Sequence, residues 1–362
     1  MKRNIYLKTI PPAEAVARVK ASIDREALIR EETIPSHEAS GRVLAHAVHA
    51  RYSSPTFHSA AMDGYAVNAR STFAAREGHP LTLKAGETCF AVNTGHPMPE
   101  GCDAVIMIEQ VVLDGGSVTI EAPAFPWQHV RRIGEDIVAT ELLFPRNHQL
   151  RPWDVGALLS GGIWDVPVWE RVTVRIIPTG DEVLDFTTHP DPGKGQVVES
   201  NSQMLAALAR ELGCVVERAA PVPDNPEALH QALKDSLDAG RHLTIFCAGS
   251  SAGSKDFTRA TLEKEGEILT HGIAAMPGKP SLLANCRGRL VAGAPGYPVS
   301  ALVCFKELLE PLISWLSHRE PPAKTVVPVE LTRTVPSRPG VEEHVRVSIG
   351  RVGDKLVATP LG

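Results

Sequence analysis

Three acidic residues, Glu182, Asp224 and Asp256, fall in loops that each follow a short apolar run. The last of these loops opens with Gly249-Ser250-Ser251-Ala252-Gly253-Ser254, where small side chains leave backbone N–H groups and hydroxyls available to a phosphate or another oxyanion. Carboxylates converging beside such an anion can hold a magnesium ion that bridges phosphate oxygens. Read by itself, the loop favours a plainer role, a tight strand-to-helix turn with Asp256 as its N-cap. It lacks the Gly-Lys-Ser/Thr ending of a Walker loop. The absence of His-Glu-x-x-His and Gly-x-Ser-x-Gly argues against a zinc hydrolase and a serine hydrolase.

The elements that must position these loops follow a strand-then-helix rhythm: strands over 172–177, 214–218 and 243–247, and helices over 202–212 and 227–237. Met204, Leu208 and Leu212 share one stripe, as do Leu229, Leu233 and Leu237. Such alternation predicts a parallel, doubly wound sheet with helices on both faces, whose ligands bind beyond the carboxyl ends of the strands. A strand pair turns around Arg287-Gly288, and a helix over 299–316 is expected to kink near Pro311. Upstream, residues 13–23 form a proline-led docking helix and 51–137 read as short strands between glycine and proline turns. A helix over 152–160, with Asp154 in its first turn, leads through Gly161-Gly162 into a strand that returns to the N-terminal segment.

The chain has 362 residues and a net charge of −5, so it exerts no bulk attraction on nucleic acid or on an anionic membrane. Its six cysteines are scattered without a close pair, which fits reduced thiols in a cytoplasm. No leader is legible at the start and no apolar run is long enough to span a bilayer.

An ordered series of short motifs adds to this reading. Ala61-Met62-Asp63-Gly64-Tyr65-Ala66, Thr94-Gly95-His96-Pro97-Met98-Pro99-Glu100-Gly101, Gly134-Glu135-Asp136, Thr179-Gly180-Asp181-Glu182, Ser200-Asn201 and Pro277-Gly278-Lys279-Pro280 resemble, in the same order, the MoeA and gephyrin E-domain family of molybdopterin molybdenumtransferases. The resemblance implies an elongated, multi-domain subunit: 1–50 with 138–170 as a discontinuous linking domain, 51–137 as an inserted β domain, 171–318 as the molybdopterin-binding α/β domain and 323–362 as a C-terminal β domain that stops early, as if cut from a longer chain. It implies a cytoplasmic homodimer with the active site at the subunit boundary. The implied reaction inserts molybdate into adenylated molybdopterin and releases AMP. An upstream molybdopterin adenylyltransferase and molybdoenzyme apoproteins are the implied partners.

On that resemblance, Asp63, Glu182, Asp224 and Asp256 are catalytic, and Glu182 and Asp256 hold Mg2+. Thr94, Asp136, Thr179, Gly180, Ser251, Gly253, Lys279, Pro298 and Arg346 contact substrate, with Ser251, Lys279 and Arg346 on the molybdate. The chain departs from the family pattern at Met276, which stands where a second lysine is usual, at Tyr297, which replaces a small amide, at Ala248 in the anion loop, and at Ser254, which replaces an acid. These departures leave open a second function on the same fold, the binding or sensing of molybdate, tungstate or finished cofactor.

Overall fold

The computed structural model describes residues 9–247 and 257–361, the side chain of Phe257 excepted. The chain divides into two compact units, one of residues 1–32 with 169–362 and one of 33–168.

The first unit is built on a six-stranded sheet whose order is Val215–Arg218, Thr173–Pro178, Leu243–Cys247, Arg289–Ala294, Leu282–Cys286, Gly266–His271. The first four strands are mutually parallel, as the strand-helix alternation requires, while Leu282–Cys286 runs antiparallel to both of its neighbours. The reversal follows from the two-residue connection to Arg289–Ala294, the strand pair expected around Arg287-Gly288, which only an antiparallel pair can use. Arg287 and Gly288 both have positive φ, 52° and 77°, the geometry of a two-residue turn that matches strand twist. Asn285 Oδ1 accepts from Gly288 N at 2.9 Å, and Arg287 is tied to Asp238 and Glu265.

Alternate residues of the strands face opposite helix layers. Ile177, Phe246, Ala284 and Val291 meet Leu229, Leu233 and Leu237 of the helix Pro226–Asp238 and Leu262 of Phe257–Glu265 in one core. The other layer contains the helices Asn201–Glu211, Pro298–Cys304 and Pro12–Ser22. Next to Pro311, where the sequence predicts a kink, residues Phe305–Leu309 form a π-helical turn and Glu310–Leu316 continues as α-helix with Pro311 in its first turn. There the missing N–H and the ring are accommodated by the widened turn before it. Beyond this helix, Glu330–Leu331, Lys355–Pro360 and Val347–Val352 form a small sheet, and Glu342–Glu343 pairs with Ala275–Met276.

The second unit contains two three-stranded antiparallel sheets, Cys89–Val92 with Gly64–Val67 and Ala104–Met107, and Leu81–Lys84 with Ser117–Ile120 and Val111–Asp114. Val67, Leu83, Ile106, Val118 and Ile120 fill the core between them. Gly64 is required by close approach, since a Cβ there would lie 2.0 Å from the Ile106 carbonyl oxygen. A separate core joins Ala39, Leu44 and Val48 to Leu150, Leu158, Val166 and Val168. The N-terminus of its helix Pro152–Ser160 is closed by Asp154, whose carboxylate accepts from Arg151 N at 2.9 Å and lies 2.8 Å from His148 Nε2. Among the described residues, no helix is long and apolar enough to cross a membrane.

Candidate functional site

A pocket of about 800 Å³ opens beyond the carboxyl ends of the central strands of the α/β sheet. Thr179 defines its floor: the residue is buried, and both its N–H (3.0 Å) and its hydroxyl (3.1 Å) donate to the Cys247 carbonyl at the end of the adjacent strand. This is the point where the chain leaves the sheet for helices on opposite faces, the place where doubly wound sheets bind ligands. Cys247 also lines the pocket, and burial pushes its thiol well above the ordinary value, which disfavours the thiolate.

Glu182 is exposed and lines one side. Its position depends on Gly180, whose φ of +138° suits glycine and where a Cβ would come within 3.0 Å of Glu182 Oε2 and 2.8 Å of Val183 Cγ2. The opposite loop carries Lys279. Its backbone is fixed by Ser281, whose N–H and hydroxyl both donate to Gly278 O at 3.1 and 2.7 Å, and by the Lys279 carbonyl, which accepts from Ile273 N at 2.9 Å. The ammonium is left exposed on a held loop, suited to an anionic ligand. Pro298 lines the pocket as the first residue of its helix, with Tyr297 as N-cap.

Beneath the pocket lies a charged network that the sequence did not disclose. Glu199, 6 % exposed, accepts from Ser202 N at 2.7 Å and Ser202 Oγ at 2.5 Å; Arg218 donates to Ser202 Oγ at 2.9 Å and pairs with Asp185 at 3.1 Å and Glu199 at 3.5 Å. The Thr187 backbone N–H, opposed by burial and helped by Arg218, holds the Asp185 carboxyl below its ordinary value. The network secures the strand pair Val183–Leu184 and Val197–Val198, which forms a pocket wall. The available signal was a carboxylate just ahead of a helix start, where it meets the helix N–H groups. Asn201 of the Ser200-Asn201 motif lines the pocket too and donates to Gly296 O at 2.6 Å.

The remaining candidates are dispersed. Asp224 is half-buried, with its N–H on Asp181 Oδ1 at 3.0 Å, and lies off the pocket lining. Arg346 is exposed and likewise absent from the lining. Met276, by contrast, does line the pocket. Ser251, Gly253 and Asp256 lie outside the described residues, as do Ala248 and Ser254. In the second unit, Asp63 and Thr94 come together from 31 residues apart: Asp63 Oδ1 accepts from Thr94 N at 2.7 Å and Thr94 Oγ1 at 3.0 Å. Those two bonds, the backbone one foremost, lower the Asp63 pKa. Asp136 of the same unit is exposed, with its N–H on Ser54 O at 3.0 Å.

Residues 10–162 match the MoeA N-terminal region (domain I and II), and residues 175–315 match the family described as "Probable molybdopterin binding domain". A molybdopterin molybdenumtransferase of Haemophilus influenzae is 34 % identical over 309 residues, covering 80 % of this chain and 74 % of that one. The chain belongs to the molybdopterin molybdenumtransferase family. Among other family members, the molybdopterin molybdenumtransferase of Bacillus subtilis is 28 % identical over 98 % of this chain and 85 % of its own. The crystal structure of a molybdopterin biosynthesis MoeA protein from Pyrococcus horikoshii superposes with a TM-score of 0.79 at 29 % identity, covering 98 % of this chain and 90 % of that one. The mixed α/β, multi-domain architecture is thus that of the family's molybdenum cofactor biosynthesis proteins.

Among the described residues no group of three or more metal-ligating side chains gathers. Magnesium does not require one, since it commonly takes one or two carboxylates together with substrate phosphates. Glu182, a carboxylate on the pocket wall, suits that donor set.

Proposed function

We propose that this family member acts in the cytoplasm to insert molybdate into adenylated molybdopterin and release AMP. The observation that carries the proposal is the pocket itself, which sets Glu182 and Lys279 on the lining of one cleft, together with Glu199, Asn201 and a series of prolines and valines, at the switch point of the sheet. Lys279 binds and orients the anionic molybdate or phosphate oxygens, and the apolar walls exclude water, which strengthens that charge pairing. Glu182, with Asp256, would hold a magnesium ion, which when bound offsets charge on the phosphoanhydride and the departing AMP. On the same reading the working form is a homodimer in which Asp63, Thr94 and Asp136 of a partner subunit complete the site. Their exposure and the lowered Asp63 pKa support that role.

The test is turnover of adenylated molybdopterin with molybdate and magnesium, following AMP release and metal insertion. Glu182→Ala is expected to lower kcat by roughly 10²–10³, the usual loss for one preorganised charge. Lys279→Ala is expected mainly to raise the KM for molybdate. Chelation of magnesium is expected to abolish release. A chain that binds the pterin but frees no AMP refutes the transferase and favours the sensing role.

A further inference from the structure

Tyr297 sits on the pocket lining with 82 % of its surface exposed, against 67 % for Phe125 and 66 % for Trp153. The backbone that carries Tyr297 is held on both sides. The carbonyl before it, Gly296 O, is held by Asn201 Nδ2 at 2.6 Å, its own carbonyl accepts from Ala301 N at 2.9 Å, and Pro298 fixes the next φ. Among the described residues its ring has no hydrogen bond, ion pair or ring contact. A large apolar face is therefore kept at the pocket mouth without a protein partner, which a fold does not gain from by itself.

Apolar surface lines the same pocket. Val197 and Val198 are 52 % and 39 % exposed, and Pro277, Pro280 and Pro295 also belong to the lining. The charged groups of the same pocket are Glu182, Glu199 and Lys279, the last between Pro277 and Pro280. We infer that Tyr297 is a stacking and specificity-determining residue for a planar heteroaromatic ring of the substrate. The inference rests on the transferase reading, whose substrate carries two such rings, a pterin and an adenine. Stacking on an aromatic side chain is sequence-tolerant because it uses the ring face, and its loss weakens binding by roughly 5- to 100-fold.

The test measures binding of three probes, AMP, pterin-6-carboxylate and ribose 5-phosphate, to the full chain and to Tyr297→Ala and Tyr297→Phe, alongside steady-state turnover. Tyr297→Ala should weaken one ring-bearing probe by roughly 5- to 100-fold, leave ribose 5-phosphate unchanged, and raise the KM for adenylated molybdopterin more than it lowers kcat. Tyr297→Phe should behave as the parent, because the ring face and not the hydroxyl is used. Weakening of AMP identifies adenine as the stacked ring; weakening of the pterin probe identifies the pterin. The inference is overturned if Tyr297→Ala holds both ring probes like the parent, if it loses ribose 5-phosphate equally, or if the parent binds neither ring. Turnover with an unaltered KM in Tyr297→Ala overturns the stacking and leaves the transferase standing. Ring binding lost in Tyr297→Ala by a parent that never releases AMP supports the stacking and removes the transferase.

Discussion

Glu199 and Asp63 are held by the same device in two different units: each carboxylate accepts one backbone N–H and one hydroxyl from a single residue, Ser202 in one case and Thr94 in the other. Their surroundings are opposite. Glu199 is buried and shares Arg218 with Asp185, so its charge is matched within the fold. Asp63 is exposed, and among the described residues its second oxygen has no hydrogen bond. The buried copy of the device is committed to the shape of a pocket wall, while the exposed copy stays ionised and keeps acceptor capacity for something outside its own unit. The same local chemistry thus serves architecture in one place and, on the proposed reading, ligand or partner recognition in the other. The degree of desolvation makes the difference.

The strongest way to break this comparison is Glu199→Ala. It leaves the buried Ser202 N–H and hydroxyl without their acceptor while Arg218 keeps Asp185, and a loss of about 2–4 kcal/mol is expected in chemical denaturation. Asp63→Asn should leave that stability unaltered while turnover falls; an equal loss of stability in both variants would erase the distinction. A smaller effect is expected from Gly64→Ala next to Asp63. The 2.0 Å clash with Ile106 O must be relieved by moving a strand, at roughly 1–3 kcal/mol, seen as lost amide protection confined to the Gly64–Val67 sheet. Finest of all is the titration of Asp63. Its folded pKa is depressed below 3.8, so its contribution is fully present above the unfolded value and fades as pH falls through the lower folded one. Thr94→Val removes the side-chain bond and should move the Asp63 titration upward in carboxyl-carbon NMR, with the acid limb of the rate profile following it. An unmoved titration would show that the hydroxyl is incidental.

Much of the scaffold was legible because it is local. The helix over 152–160 and the strand over 243–247 lie where proline, glycine and apolar spacing put them, and the turn at Arg287-Gly288 joins two strands as read. The strand Gly266–His271 at the sheet edge was not read, because periodicity reports which face a residue takes, not which strand becomes its neighbour. The π turn before Pro311 answers packing and backbone needs that no propensity encodes. Of the site, the pocket loops holding Thr179, Glu182, Lys279 and Pro298 were found through motifs following strands. The Glu199–Arg218 network was not, since its members are 19 residues apart and only the folded sheet brings them together. Asp224 and Arg346 carry the right chemistry but lie off the pocket lining, a reminder that residue type restricts role without fixing position.

The reversed strand also acts as a ruler. Its hairpin has the Arg287-Gly288 turn at one end, and at the other end the two strands open into the Lys279 loop and the Tyr297 loop. Sliding one strand past the other by a single residue would offset those loops by about 3.4 Å and flip alternate side chains across the sheet. The separation of two pocket walls is therefore calibrated by the ladder of this hairpin and by a turn at its far end, where Arg287 pairs with Asp238 and Glu265. Mutations at that remote corner would be read out as changes in which ligands fit, before any side chain of the pocket had been altered.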